Sequence, residues 1–206
     1  MTTEAKVVRV TQSQIREAGR VLSRAFHDDP AVPYVFSGVP KQRALDWFFT
    51  VTARYGHMYG GEVYTTAGTV DAAVIWLPPG SFPMSPLRMV RAGMILAPLK
   101  LGLAPFGRFM RLMNHLEHLH KRDAPPQHWH LQFVGVDPPH QGQGIGSALM
   151  QPVLTRVDAD GLPCYLETTN GRTVPLYRRH GFEVVVEGDA PKGGPHFWTM
   201  ARPPQG

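Results

Sequence analysis

The chain has one cysteine in 206 residues. That excludes an internal disulfide framework. Cys164 stands in an apolar run and reads as a core residue rather than a nucleophile. Long hydrophobic runs are also missing. Arg88, Arg91 and Lys100 interrupt the apolar middle of the chain, against a transmembrane span. Basic residues there are too sparse for a helix lying on a membrane surface. Runs of one charge are absent too. The net charge is +5, but Lys and Arg are scattered and no stacking motif is interleaved, so no nucleic-acid partner is expected. A mildly basic surface can instead steer a small anionic ligand. The opening residues, Met1 to Lys6, show no apolar signal segment, and the expectation is a cytoplasmic protein. No internal repeat is present.

Glycine and proline, by contrast, are plentiful, at 21 and 20 residues. They concentrate where the sequence says most, in Trp129 to Ser147. Leu131 to Val136 reads as a buried strand, Asp137-Pro138-Pro139-His140 as a turn, and Gln141 to Gly146 as a glycine-rich loop opening a helix. Such a loop presents bare amides and a helix N-terminus to an anion. A Rossmann site wants Gly-x-Gly-x-x-Gly directly after its strand; here Ser147 falls where the last glycine belongs and four residues intervene. A P-loop wants Gly-Lys-Ser/Thr, which is absent.

What remains, Gln141-x-x-Gly144-x-Gly146, resembles the pyrophosphate loop of the GCN5-related N-acetyltransferases, the GNAT superfamily. Downstream, Cys164 to Thr168 reads as a strand, and Val174-Pro175-Leu176-Tyr177 to Gly181-Phe182 resembles the family's second signature, a short tyrosine-bearing helix ending at Gly-Phe. Gly181 suits a helix C′ position. The likeness covers about residues 129–202 and is nearest to the branch that includes puromycin N-acetyltransferase. It implies an α/β GNAT fold, with a mixed central sheet of about six to seven strands flanked by helices.

The rest of the chain fits that order. Val7 to Val10 reads as a strand, and Thr11 as the N-cap of a helix to about Phe26. Pro30, Pro33 and Pro40 mark a loop, and Gln42 to Tyr59 a second helix. Glu62 to Thr66 and Ala72 to Leu77 form a hairpin around Gly68. Residues 80–128 read as a helical insertion within one domain spanning 1–206. Pro83, Pro86, Pro98 and Pro105 divide it, with helical runs at about 87–96 and 106–120. The insertion is either extra core or a lid over an acceptor site, and a dimer surface is also open. The tail from Pro203 reads as too short to pack.

The resemblance implies acetyl transfer from acetyl-CoA to an amine by direct attack in a ternary complex. Val134, Gly135 and Val136 would bond the pantetheine arm, on a strand that splays from its parallel neighbour. Gln141, Gly142, Gln143, Gly144, Ile145, Gly146 and Ser147 would hold the pyrophosphate, and Asn170 the CoA arm. Thr173 stands where the family often has asparagine. Tyr177 is the candidate acid, since a phenol keeps its proton at neutral pH. The base stays open between His130 and Glu167. Strict alternation along the strand would put His130, Gln132 and Val134 on one face. Asp28 or Asp29 is a candidate contact for a cationic acceptor, although Asp-Asp-Pro also terminates a helix. His115, His118, His120 and His128 match no metal motif and read as solvated surface, so no metal is expected. The expected acceptor is a small-molecule primary amine, with the enzyme a monomer or homodimer. Alternatives are a protein or peptide acetyltransferase and a non-catalytic acetyl-CoA sensor.

Overall fold

The computed structural model describes residues 6–82 and 84–205. The readings placed on Met1 to Ala5 and on Pro83 lie outside the described residues. Strand β1 (Val7–Arg9) leads through a 3-10 turn at Gln12–Gln14 into α1 (Ile15–Ala25). The Thr11 amide donates to Gln14 Oε1 at 3.1 Å, so the expected start is present as a tighter first turn. Helix α2 (Ala31–Val35) occupies the stretch its prolines marked as loop. Asp29 Oδ1 accepts the Ala31 N–H at 2.9 Å and caps it. Pro33 sits in the first turn, where its missing N–H costs nothing.

Helix α3 (Lys41–Met58) and the hairpin of β2 (Glu62–Thr66) with β3 (Ala72–Leu77) agree with the sequence reading. The insertion is more finely divided than two runs. It holds α4 (Pro86–Ala92), a 3-10 turn at Met94–Leu96, α5 (Ala97–Leu101) and α6 (Leu103–Asp123). Pro105 does not separate helices: it is the third residue of α6, where the N–H has no intrahelical partner anyway. Then come β4 (Trp129–Val136), a 3-10 turn at Pro138–His140, α7 (Ile145–Ala159), β5 (Cys164–Thr168), α8 (Val174–Arg179), β6 (Glu183–Asp189) and β7 (His196–Arg202). The tail is not wholly loose, because the Gln205 amide donates to Asp158 Oδ1 at 2.8 Å.

The seven strands form one mixed sheet in the order β1-β2-β3-β4-β5-β7-β6, and β4 with β5 is its parallel pair. Every residue of β3 is buried. Ala73 and Ile75 pack toward α1, α3 and α6, whereas Ala72, Val74 and Trp76 pack toward α7. A fully buried Val or Ile contributes about 1.5–3 kcal/mol, so this central strand anchors both helical layers.

Strand β4 has two irregularities, and both shape the cleft. Ile75 pairs with Phe133 but Trp76 pairs with Leu131, so Gln132 is an extra residue, a β-bulge. The bulge reverses the alternation. His130 lies on the α3/α6 side of the sheet, while Val134 packs into the cluster with α7. The expected shared face of His130, Gln132 and Val134 is therefore corrected. The second irregularity is a splay. Strands β4 and β5 pair only at Trp129 with Cys164 and His130 with Tyr165. Beyond that point they diverge.

Candidate active site

The glycine loop comes first. Asp137, directly after β4, takes a two-point ion pair from Arg24 of α1, at 2.8 and 2.7 Å. That pins the turn from which the loop departs. Gly142 and Gly144 have φ of +77° and +80°, a region other residues occupy only with strain. In this shape the amides of residues 142–147 find no acceptor among the described residues. A run of unsatisfied N–H groups at the start of α7 is an anion cradle. Gln143 is exposed and Ile145 opens the helix. Gly146 lies over Val136, and an added Cβ would make only ordinary contact at 3.5 Å.

The splayed end of β4 runs beside this cradle. From Leu131 onward β4 has no ladder partner in β5. Backbone groups around Val134 and Gly135 are thus open toward the cleft. Val136 is partly engaged, since its carbonyl accepts from Gln141 Nε2 at 3.0 Å. Gly135 is required for packing: an added Cβ would lie 2.8 Å from Ala25 Cβ. Helix α1 could then not sit this close to the strand.

On the α3/α6 side of β4 the cleft continues into a cavity of about 180 Å³. Phe26, Phe36, Phe48, Phe49, Phe82, Phe109 and Phe133 line it, with Met84 and Met113. Phe49 packs against Phe133 with centroids 5.1 Å apart, and Phe48 meets Phe109 at 5.5 Å. Helix α6 supplies Phe109, Leu112, Met113, Leu116 and Glu117, so the insertion forms one wall.

The polar groups of the cavity converge from other elements. They include Asp29, His130, Glu167, Thr168, Thr169 and Tyr177. Tyr177, on α8, is 7% exposed, and burial pushes its phenol up to about 12 against the bond with Thr173. It keeps its proton throughout the neutral range. Burial likewise raises the Asp29 carboxyl, against Thr169 Oγ1, which donates to Asp29 Oδ1 at 2.6 Å. Asp28, the other acid considered, is exposed. Glu167 Oε1 lies 2.9 Å from His120 Nδ1, and its Oε2 lies 3.5 Å from His130 Nε2. Burial holds His130 well below the usual imidazole range, so it is neutral.

Of the other expected residues, Ser147 Oγ sits 2.9 Å from His180 Nε2. Asn170 uses its side chain to cap the next turn, accepting from the Arg172 amide at 3.1 Å. Thr173 donates to the Asn170 carbonyl at 2.7 Å and lies 3.1 Å from Thr168 Oγ1. Cys164 is buried, and burial pushes its thiol up to about 12, which leaves it inert.

The histidines need a correction. His118 is exposed as expected, but His120 is buried and stacked on Phe82, centroids 3.8 Å apart. Its Nε2 lies 3.0 Å from His128 Nε2. Among the described residues the grouping is His120, His128 and His130. Strand residue His130 completes it, a pairing that no local spacing could reveal.

The acetyltransferase (GNAT) family profile matches residues 108–182, from within α6 through α8. A Schizosaccharomyces pombe protein described as an uncharacterized N-acetyltransferase is 26% identical over 181 residues, 84% of this chain and 72% of that protein. These matches support an acyl-CoA-dependent N-acetyltransferase of the GNAT superfamily, whose enzymes use acetyl-CoA as co-substrate. Two solved structures share the GNAT fold. One, described as histone acetyltransferase HPA2 and related acetyltransferase from Corynebacterium glutamicum, has a TM-score of 0.72 at 22% identity, covering 99% of this chain and 98% of that one. The other, the Drosophila melanogaster polyamine N-acetyltransferase that forms N-acetylagmatine, has a TM-score of 0.64 at 18% identity, covering 96% and 99%. No helix among the described residues is long and apolar enough to cross a membrane.

Sequence reasoning passes over several residues that shape this GNAT site. Arg24 lies 113 positions from Asp137 and has no local mark. His180 stands in the tyrosine-helix run, next to Gly181, and its contact with Ser147 could have been suspected there. The phenylalanines of α3 look, in sequence, like any apolar helix face.

Proposed function

We propose that the chain acetylates the primary amine of a small molecule with an apolar, largely aromatic body, by direct attack in a ternary complex with acetyl-CoA. The observation that supports this reading best is the phenylalanine-lined cavity opening onto the unpaired edge of β4 between Glu167 and Tyr177. An apolar body buries its surface there at about 25 cal/mol per Å², and the carboxylates Asp29, Glu117 and Glu167 give an ammonium group somewhere to dock.

The residues present fit acetyl-CoA. The free amides of 142–147 suit its pyrophosphate, with Ser147 beside them. The open strand edge at Val134 to Val136 suits its amide-bearing arm, with Asn170 and Thr173 flanking the same cleft. When bound, acetyl-CoA supplies the activated acetyl thioester. The chain's own groups then handle protons. Glu167 accepts the amine proton at Oε2. It is favoured over His130 because burial disfavours a charged imidazole there. His120 Nδ1, 2.9 Å from the other carboxylate oxygen, holds that carboxylate in place. Tyr177 keeps its phenolic proton until a leaving thiolate needs one.

The test is calorimetric titration with acetyl-CoA, followed by an acetylation screen of arylalkylamines, polyamines, an aminonucleoside such as puromycin, and lysine peptides. Turnover of the aromatic amines is expected. Turnover of lysine peptides alone would overturn the small-molecule reading. Tight acetyl-CoA binding with no turnover of any amine would overturn catalysis in favour of a sensor.

A further inference from the structure

We propose that His120, His128 and His130 form a binding site for a borderline divalent metal ion of the Zn²⁺ class, beside the cavity that His130 lines. Hydrogen-bond bookkeeping leads there. His120 Nδ1 faces Glu167 Oε1 at 2.9 Å, and a carboxylate only accepts, so that nitrogen carries the proton. His128 Nδ1 faces the Pro125 carbonyl, which also only accepts. In neutral rings both Nε2 atoms are then bare, yet they face one another at 3.0 Å. Two lone pairs at that distance repel unless a cation binds both.

The surroundings are those of a metal site. A ligating histidine usually gives its other N–H to a carboxylate or a backbone carbonyl, and His120 and His128 show one of each. Two nitrogens bound tetrahedrally to Zn²⁺ lie about 3.3 Å apart, close to the separation here. His130 provides the third nitrogen. Donor atoms of the three rings lie within 4.8 Å of one another. Closing that gap takes a shift of about 1.5 Å to reach tetrahedral spacing, within the reach of side-chain rotation. His130 Nδ1 is buried without a partner among the described residues, so a nitrogen of that ring is left for a ligand. Three imidazoles favour Zn²⁺, Co²⁺ or Ni²⁺ over Mg²⁺ or Ca²⁺. His128 is partly exposed and gives a path in. The site does not depend on which amine the cavity takes.

The experiment is titration of the chelator-treated full chain with Co²⁺, read by visible absorption, then displacement by Zn²⁺. One equivalent with the intense bands of tetrahedral Co²⁺ is expected. His128→Gln and His120→Gln should weaken binding at least ~100-fold, and Glu167→Gln about 10–100-fold. The exposed His118→Gln should change nothing. Should His120→Gln fail to fold, His128→Gln carries the test, with near-UV circular dichroism confirming its fold. Absence of the tetrahedral spectrum, or its survival in His128→Gln, would overturn the site; the gap between the rings would then hold a shared proton.

Discussion

The two sides of the cleft are built from different materials. The side bearing the glycine loop is main chain: six consecutive free amides, an unpaired strand edge, and glycines whose absent side chains make room. The cavity side is made of side chains: aromatic rings from α3, α6, β4 and the residues that follow α1 and α2, with acids and the His130 imidazole set among them. A main-chain site is the same whatever side chains surround it, so it suits one invariant ligand. A side-chain wall changes with each substitution, so it suits the variable partner of a two-substrate reaction. Damage should divide along the same line.

The largest effect is expected on the main-chain side. Gly144→Glu forces a non-glycine residue to φ +80° and aims a carboxylate at the anion cradle. Acetyl-CoA affinity should fall at least ~100-fold, about 3 kcal/mol, with amine-site residues untouched. Calorimetry measures this directly, and unchanged binding would sink the division. Tyr177→Phe comes next. It should lower kcat by about 100-fold while acetyl-CoA affinity stays within a few-fold. Steady-state kinetics separate the two quantities.

The comparison sharpens at Met113, a cavity-wall residue of α6. Met113→Ala should raise KM for the amine about 10-fold and leave acetyl-CoA affinity unchanged. If both parameters moved together, the two sides would be one coupled surface.

The smallest effect lies outside both. Arg202 grips Asp158 at 2.6 and 2.7 Å, tying β7 to the end of α7. That bond holds the Asp158 carboxyl below its ordinary range. A depressed carboxylate stabilises the fold above its unfolded value of about 3.9 and loses that contribution as pH falls through the folded value. Arg202→Gln should therefore lower Tm by about 3 °C at pH 7, and the two proteins should converge in acid. Thermal melts across pH would show it, and a constant gap down to low pH would assign the effect to packing alone.

The same division explains what was legible in the sequence. Glycines that permit positive φ and a tyrosine before Gly181-Phe182 leave local marks, so the loop and α8 were readable. The hairpin of β2 and β3 was readable because a short apolar run and a turn glycine, Gly68, are local too. The cavity was not, since Phe26, Phe49, Phe109 and Phe133 come from four separate stretches of the chain and meet only in the fold. Helix α2 was hidden by treating prolines as breakers when they stood in a first turn capped by Asp29. The position of His130 was misjudged because strict alternation has no signal for an extra residue at Gln132.

That one extra residue is an insertion the sheet absorbs. With Gln132 removed and the pairing kept, Leu131 would still lie opposite Trp76 and Phe133 opposite Ile75, so Phe133 would stay on the cavity side and Val134 on the α7 side. The bulge thus lodges one more side chain, Gln132, in the cavity wall without turning any neighbour over. A wall residue can be added or withdrawn here, inside the sheet, while both helical layers keep their contacts.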